Sequence, residues 1–115
     1  MLIYAIDDDP DWQDYYATIL GQDHDLRTFP NGVSAINAID LCLPDAILLD
    51  LLLTGPSGIS LLAELQSYAD TARLPIAVIT GVDTGDLSVY GVSKVFNKAS
   101  MTPKELLSWI SKHAP

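Results

Sequence analysis

The feature that most constrains the fold of this chain is an alternation of short apolar runs with segments of helical periodicity along its 115 residues. The clearest run, AILLD at 46–50, is apolar up to its last residue, Asp50. An unpaired buried charge costs several kcal/mol, so a carboxylate in such a place needs an explanation. We therefore predict that the strand ends at Asp50, that its carboxylate has partners, or both.

The other apolar runs also have the length of strands. LIYAI at 2–6 and IAVIT at 76–80 are continuous, which is typical of strands buried on both faces of a sheet. LRTF at 26–29 and KVFN at 94–97 are weaker candidates. The sequence thus predicts five strands in all.

Four segments carry apolar residues at the spacing of an amphipathic helix. Gly21 ends the first, Pro44 breaks the second, and the loop at 55–58 precedes the third. The last begins with a capping box at 102–105, with proline at its first position. The residues that define the four helices are Trp12, Tyr15, Tyr16, Ile19 and Leu20; Val33, Ile36 and Ile39; Ile59, Leu62, Ala63 and Leu65; and Leu106, Leu107, Trp109 and Ile110.

Strands that alternate with helices predict an α/β fold, because right-handed crossovers place helices on both faces of a parallel sheet. We predict a doubly wound five-stranded parallel sheet with strand order 2-1-3-4-5. Only nine residues separate Gly81 from Gly91, so the helix between the fourth and fifth strands, which is the fourth helix of five possible positions, should be short or missing. Residues 1–115 should form a single domain, a size that suits one core.

Charge and cysteine content exclude several classes of function. The formal net charge is −9, and the six Lys and Arg residues are scattered, so no basic footprint for nucleic acid or anionic lipid is expected. The single cysteine, Cys42, excludes a disulfide framework and a cysteine-based metal site. The sequence shows neither an apolar run of transmembrane length nor a signal peptide, so a reducing cytoplasmic setting is expected.

Polar residues stand where the predicted strands end. Asp7–Asp9 follow the first strand, Asp50 and Thr80 close the third and fourth, and Lys98 follows the fifth. Ligands of such sheets bind outside the carboxyl ends of the strands, so these groups should converge. Clustered carboxylates stay ionised around a hard divalent cation, for which oxygen ligands favour Mg²⁺. Mg²⁺, an ammonium and a hydroxyl around one carboxylate suit phosphoryl transfer.

With these residues in place, the chain resembles the receiver domain of two-component response regulators, which has a flavodoxin-like fold. The resemblance covers essentially all of the chain. It rests on the acidic pair Asp7-Asp8, on D-L-L-L-T-G-P-S-G from Asp50 to Gly58, on Thr80, and on Lys98. Four anchors in order, each at the end of a strand, make a specific signal.

The resemblance implies a role for each anchor. Asp50 is the phospho-acceptor, and Mg²⁺ is the cofactor. Asp8 is a direct ligand of the metal, Asp7 helps directly or through water, and Leu52 contributes its backbone carbonyl.

Lys98 pairs with the acyl phosphate, and Thr80 hydrogen-bonds a phosphoryl oxygen after phosphorylation. Asp9, next to the acidic pair, caps the first helix, where a carboxylate is favourable. The implied phosphoryl donor is a sensor histidine kinase or a histidine phosphotransfer protein. The resemblance implies no enzyme acting on a separate substrate, only phosphoryl transfer to the domain itself and autodephosphorylation.

Four positions depart from the family pattern. Ala99 replaces the usual proline that forms a cis peptide bond after the lysine, so either a strained cis bond is kept or the loop takes another path. Val95 replaces an aromatic residue, and Phe96 should lie on the opposite face of the strand. The segment from Thr80 to Lys98 is shortened, and Thr54 stands where proline is common. We expect an atypical output face: the domain signals through a non-standard surface, or acts as a phosphate relay or sink.

Two other classes of function are alternatives to the receiver interpretation. A phosphohydrolase of the haloacid dehalogenase type would use a carboxylate after the first strand, such as Asp7, but the threonine of its motif is missing. A phosphorylation-independent interaction module could share the receiver fold. The output partner and the completeness of the chain are open from sequence, because a free-standing protein and the receiver of a longer protein both fit.

Overall fold

A computed structural model describes residues 1–52 and 57–113 of the chain. The position of Thr54, the first half of the predicted loop at 55–58, and the chain end at 114–115 lie outside these ranges. Within them, the strands and helices follow one another in the order that the sequence predicts, starting with a strand.

Five parallel strands form one sheet in the order β2-β1-β3-β4-β5, which confirms the predicted fold class. β1, β3 and β4 are central and almost wholly buried, whereas β2 and β5 are edge strands with several exposed residues. This difference explains why only the central strands are continuous apolar runs in the sequence. The bounds are β1 Leu2–Ile6, β2 Asp25–Phe29, β3 Ala46–Leu49, β4 Ile76–Thr80 and β5 Val92–Asn97.

Four α-helices cover the two faces of the sheet. α2 and α3 pack on one face, against residues such as Tyr4 and Ile6, and α1 and α4 pack on the other, against residues such as Ile3 and Ala5. Alternate residues of β1 thus serve opposite cores, as the twofold periodicity of a strand requires. The bounds are α1 Pro10–Leu20, α2 Gly32–Leu41, α3 Gly58–Gln66 and α4 Pro103–Lys112.

Side-chain caps fix where the helices begin. Asp9 accepts a hydrogen bond from the Asp11 N–H at the start of α1, as predicted. The capping box of α4 is also confirmed, because Thr102 and Glu105 bond each other's backbone N–H groups. The Asp9 cap thus fixes where α1 begins after β1.

One predicted core position in α4 is wrong. Leu107 is 39% exposed, whereas Leu106, Trp109 and Ile110 are buried. Successive residues of a helix are turned by about 100°, so the sheet covers positions 106, 109 and 110 but not position 107. Apolar spacing identified the helix correctly but overestimated the width of its buried face.

The connection from β4 to β5 contains a single 3₁₀ turn, Ser88–Tyr90, where the sequence predicted a short or missing helix. Leu87 is buried and anchors this segment to the core. Gly91 ends the turn with a φ of 75°, and a Cβ at this position would overlap the side chain of Gln66 in α3. The shortened connection is therefore ordered by packing and by one glycine.

The chain leaves β5 without a cis peptide bond, since none occurs in the part of the chain that the structure describes. Asn97 instead organises a turn, with its side-chain Oδ1 accepting from the Ala99 N–H and its carbonyl oxygen from the Met101 N–H. The loop at Ala99 therefore takes a different path, which is the second of the two alternatives that the sequence predicted.

Candidate functional site

The predicted site residues come together at the carboxyl ends of β1, β3, β4 and β5. Asp7 follows β1 directly, and Asp50 follows β3 directly, with the Asp50 N–H donating to the Ile6 carbonyl. Thr80 is the last residue of β4, and the N–H of Lys98, just after β5, donates to the Thr80 carbonyl. Backbone hydrogen bonds between neighbouring strands thus hold the site residues adjacent.

Lys98 lies between two buried carboxylates. Its Nζ donates to Asp50 Oδ2 at 2.8 Å and forms an ion pair with Asp7 Oδ2 at 2.9 Å. The side chains of Asp7 and Asp50 are 1% and 5% exposed, and that of Lys98 is 16% exposed. Lys98 is therefore the partner that the sequence predicted for the buried carboxylate of Asp50, and it pairs with Asp7 as well.

The second oxygen of each carboxylate is held by the backbone. Asp7 Oδ1 accepts from the Asp9 N–H at 2.9 Å, and Asp50 Oδ1 accepts from the Leu52 N–H at 3.0 Å. Both carboxylates are therefore fixed in rotation, with one oxygen on the backbone and one toward Lys98. Such preorganisation fits a site that has to act on a reacting group without rearranging.

Asp7, Asp8 and Asp50 form a group suited to a metal ion. Each offers a carboxylate oxygen, and these oxygens lie within 4.8 Å of one another. An all-oxygen donor set of carboxylates matches a hard cation such as Mg²⁺. The residues present therefore fit the metal that the sequence predicted.

Burial and charge change the acid–base properties of the site. Burial raises the pKa of the Asp7 carboxyl, although Lys98 and the Asp9 N–H act in the opposite direction. For Lys98, burial acts to lower the pKa, but Asp50 and Asp7 together outweigh it and leave the pKa raised. Lys98 is thus a permanent cation at neutral pH, and the ionised form of Asp7 is less favourable than in water.

We expect Asp7→Asn to raise the free energy of unfolding at pH 7 when no divalent cation is bound. A carboxyl whose folded pKa is raised leaves the folded state with more bound protons, so the free energy of unfolding falls as pH rises from 3.8 through the folded pKa. Asparagine removes that loss. The measurement is urea unfolding at pH 4 and pH 7 in the presence of a chelator.

The matched control for this substitution is Asp14→Asn, at an exposed position of α1, which should change stability by only a few tenths of a kcal/mol. A variant at Asp7 that is less stable than wild type at pH 7 would contradict the expectation. So would an unchanged pH dependence of its unfolding.

Thr80 carries a buried hydroxyl at the site. The residue is 1% exposed, and its Oγ1 makes no hydrogen bond with any residue in the described ranges. A buried hydroxyl in this condition costs about 1–3 kcal/mol, so Thr80 is poised to bind an additional acceptor that enters the site.

Trp12 is a site neighbour that the sequence reading assigned to packing. Lys98 Nζ lies 5.0 Å from the centroid of its ring, and the ring also contacts Tyr15 and Tyr16. The indole covers the ammonium group from the side of α1 and provides a cation–π contact. The sequence feature that could have indicated this contact is the location of Trp12 in the first turn of a helix that starts at the site.

Val95, one of the positions that depart from the family pattern, lies on β5 three residues before Lys98. Val95 is 40% exposed, whereas Phe96 is buried among the residues that α1 and α4 cover, as the alternation of β5 predicted. A cavity lined by Val82, Thr84 and Val95 adjoins the end of the sheet. Position 95 contributes a valine to this cavity, and Phe96 is the aromatic residue in its lining.

Comparison with known proteins identifies similar domains. A family model described as "Response regulator receiver domain" matches residues 3–110. The DNA-binding response regulator MtrA of Mycolicibacterium smegmatis is 33% identical over an alignment of 111 residues that covers 92% of this chain and 47% of that protein. The chain thus spans about half the length of this curated relative.

Solved structures show the same architecture. The BeF3-activated N-terminal receiver domain of Klebsiella pneumoniae RstA superimposes with a TM-score of 0.83 at 30% identity, covering 96% of each chain. The chemotaxis protein CheY4 of Vibrio cholerae gives a TM-score of 0.86 at 16% identity, covering 97% of each chain, and supports the fold alone. In the described part of the chain, no helix is long and apolar enough to cross a membrane.

Proposed function

We propose, on the premise that this chain belongs to the response regulator receiver domain family, that Asp50 accepts a phosphoryl group with the help of Mg²⁺. The family places the chain in two-component signalling. The donor we propose is a sensor histidine kinase or a histidine phosphotransfer protein, with the domain in the cytoplasm. The observation that carries the proposal is the placement of Lys98 between Asp50 and Asp7, with Asp8 completing an oxygen cluster.

In the proposed transfer, a carboxylate oxygen of Asp50 attacks the phosphorus atom. The bond from phosphorus to the donor breaks, the donor keeps that electron pair, and an aspartyl phosphate forms. Lys98 is already within hydrogen-bond distance of the attacking carboxylate, so its Nζ can follow the new phosphoryl oxygen as charge develops there.

Asp7, Asp8, Asp50 and the backbone carbonyl of Leu52 are the groups we propose as metal ligands. When bound there, Mg²⁺ neutralises negative charge on the phosphoryl oxygens. The Leu52 N–H bond to Asp50 keeps the start of the following loop close to the carboxylate, which supports the assignment of its carbonyl.

Thr80 is the residue we propose to sense the chemical state. Its buried hydroxyl lacks a hydrogen-bond partner among the described residues, and a phosphoryl oxygen would supply an acceptor. We do not propose that the domain turns over a separate substrate. It receives the phosphoryl group and later loses it to water by its own autodephosphorylation.

The output we propose is atypical. Val95 is exposed, so position 95 offers no buried aromatic side chain that could follow Thr80. Between β4 and β5, a 3₁₀ turn at Ser88–Tyr90 takes the place of a full helix. The domain therefore signals through another surface, or acts as a phosphate relay or sink. Large amide NMR shifts concentrated in the β4–β5 connection on phosphorylation would contradict this part of the proposal.

The test of the phospho-acceptor assignment is the binding of beryllofluoride, a phosphoryl mimic, with and without Mg²⁺. We expect saturable amide shifts at Leu52, Thr80 and Lys98 only when Mg²⁺ is present. The fluorescence of Trp12 should change as well, because Lys98 Nζ lies 5.0 Å from its ring. Trp109→Phe isolates that signal, because Trp109 is the second tryptophan of the chain. Trp109 belongs to the core that α4 covers.

Fluoride with Mg²⁺ but without beryllium is the control, and it should leave both signals unchanged. The absence of any Mg²⁺-dependent response to beryllofluoride would overturn the assignment of Asp50 as phospho-acceptor.

A further inference from the structure

A pocket of about 330 Å³ lies at the amino ends of the strands, on the edge of the sheet opposite the candidate site. The end of α2 and the link to β3 form one wall, and the turn that follows α3 forms the other. Its volume is at the lower end of the range of known ligand pockets. We refer to five of its lining residues as the amino-edge patch: Asp40, Leu41, Leu43, Tyr68 and Asp70.

The amino-edge patch exposes apolar side chains that the core does not use. Leu41 is 89% exposed, Leu43 is 44% exposed and Tyr68 is 60% exposed. Cys42, between the two leucines, is exposed as well. Leu41 lies two residues after the buried Ile39, which turns it about 200° around α2 and away from the core. A run of three exposed apolar residues beside an exposed tyrosine is typical of an interaction site.

The charge of the patch is negative. Asp40 and Asp70 line the pocket, and none of the described residues that line it is Lys or Arg. Neither carboxylate forms an ion pair in the described part of the chain. Asp70 Oδ1 accepts from the Thr71 N–H, which orients the side chain but leaves its charge. Arg73, the cation nearest in sequence, donates to the Ala69 carbonyl.

The backbone of both walls is held in place by side chains. The hydroxyl of the core residue Tyr4 donates to the Cys42 carbonyl at 2.8 Å, which fixes the chain after α2. The buried Thr71 hydroxyl donates to the Leu65 carbonyl, which fixes the turn after α3. A partner therefore meets a preformed surface, and little loop ordering opposes its binding.

We propose that the amino-edge patch binds a segment of a partner protein in which large apolar side chains lie between Lys or Arg residues. The apolar side chains cover Leu41, Leu43 and Tyr68, and the cations pair with the two carboxylates at the rim. At physiological salt the Debye length is about 8 Å, so this attraction is a property of the patch and not of the whole protein.

The same carboxylates disfavour other occupants. In a symmetric contact between two copies of the chain, Asp40 and Asp70 of both patches would lie close together, and each copy has a net charge of −9. An anionic lipid surface or a nucleic acid would be repelled in the same way. The sign of the charge therefore selects a cationic segment among the occupants that apolar surface alone would admit.

This inference goes beyond phosphoryl transfer and does not depend on it. The patch lies near the start of β3, whereas Asp50 follows the end of the same strand. Binding should therefore persist in an Asp50→Asn variant. A failure of this proposal and a failure of the phospho-acceptor assignment are thus distinguishable.

The probe is a fluorescein-labelled peptide, Gly-Lys-Arg-Leu-Phe-Arg-Lys-Gly, titrated with the full chain in about 0.15 M salt and followed by fluorescence anisotropy. We expect a Kd of roughly 10–100 µM. The double variant Asp40→Lys/Asp70→Lys should weaken binding by about tenfold or more, because like charges then face each other. Leu41→Ser should weaken binding by about threefold and leave the fold intact, since the leucine side chain is exposed.

Each variant has a matched control outside the pocket. Asp14→Lys/Asp23→Lys makes the same change of net charge at exposed residues and should leave the affinity within about twofold. Val89→Ser removes an apolar side chain that is 78% exposed in the β4–β5 connection and should have no effect. Equal weakening by the two double variants would show attraction to net charge alone and would overturn the proposal.

Amide NMR shifts locate the bound peptide, and we expect them at residues 39–43 and 68–71. Shifts confined to Asp7–Asp9 would assign the binding to the acidic loop at the other edge of the sheet. A dimer in sedimentation that Leu41→Ser abolishes would assign the patch to a second copy, and binding to phosphatidylglycerol vesicles that the same variant abolishes would assign it to a membrane. Each of these results, or no peptide binding up to millimolar protein, would overturn the proposal.

Discussion

Asp50→Asn is expected to reduce phosphate incorporation from acetyl phosphate by at least about 100-fold, because an amide is a poor nucleophile and cannot form the acyl phosphate. Wild-type protein incubated with acetyl phosphate and Mg²⁺ should gain one phosphoryl group while acetate leaves. Intact-protein mass spectrometry measures the fraction modified. The fold should persist, since asparagine has nearly the volume of aspartate and keeps an oxygen for the Leu52 N–H.

Asp9→Asn is the matched control for this experiment. It makes the same chemical change in the adjacent acidic loop, and asparagine caps a helix as well as aspartate does. Its labelling should stay within about twofold of wild type.

The same experiment separates the competing classes of function. An interaction module would show no labelling in either protein. A phosphohydrolase would release phosphate in a manner that depends on Asp7 and not on Asp50. Equal labelling of wild type and Asp50→Asn would move the acceptor elsewhere and contradict the proposal.

The convergence of the site could be predicted from sequence because a parallel sheet leaves little freedom. Once residues 2–6, 46–50 and 76–80 are identified as parallel strands, their last residues must lie at one edge. The sequence therefore predicted the proximity of Asp7, Asp50 and Thr80 without any information on distances. The shortened fourth connection was predictable for the same reason, since nine residues between two glycines leave no room for a full helix.

The contacts inside the site were harder to predict, because they depend on side-chain geometry rather than topology. The sequence argument paired Lys98 with a phosphate on Asp50, but Lys98 contacts Asp7 as well as Asp50. Trp12 was assigned to packing, because helical periodicity places a residue on a face but does not show that its ring reaches an ammonium group.

Lys98→Met is expected to have the second largest effect, on both stability and labelling. Lys98 is the cation in contact with Asp7 and Asp50, so its removal leaves two buried carboxylates facing each other. Breaking a fully buried pair costs about 3–5 kcal/mol, and we expect about 2 kcal/mol here because Lys98 is partly exposed and Asp7 can take up a proton. Urea unfolding at pH 7 with a chelator present measures this loss.

Mg²⁺ should restore part of the stability of Lys98→Met, because a cation bound to Asp7, Asp8 and Asp50 replaces the missing charge and binds only the folded state. Labelling by acetyl phosphate should still fall by about 100-fold in saturating Mg²⁺, because the group that would stabilise the phosphoryl oxygen is gone. This separation distinguishes a role in the transfer from a purely structural one.

Lys94→Met is the matched control for this substitution. It removes the same charge four residues earlier, within β5. Lys94 is exposed, and its ammonium group contacts the Phe96 ring and no carboxylate of the described residues. Its stability should change by about 0.5 kcal/mol or less, and its labelling should not change. Lys98→Met that is as stable as Lys94→Met would show that the buried carboxylates do not depend on Lys98. If Mg²⁺ restored labelling along with stability, Lys98 would act by organising the metal-free site and not by contacting the phosphoryl group.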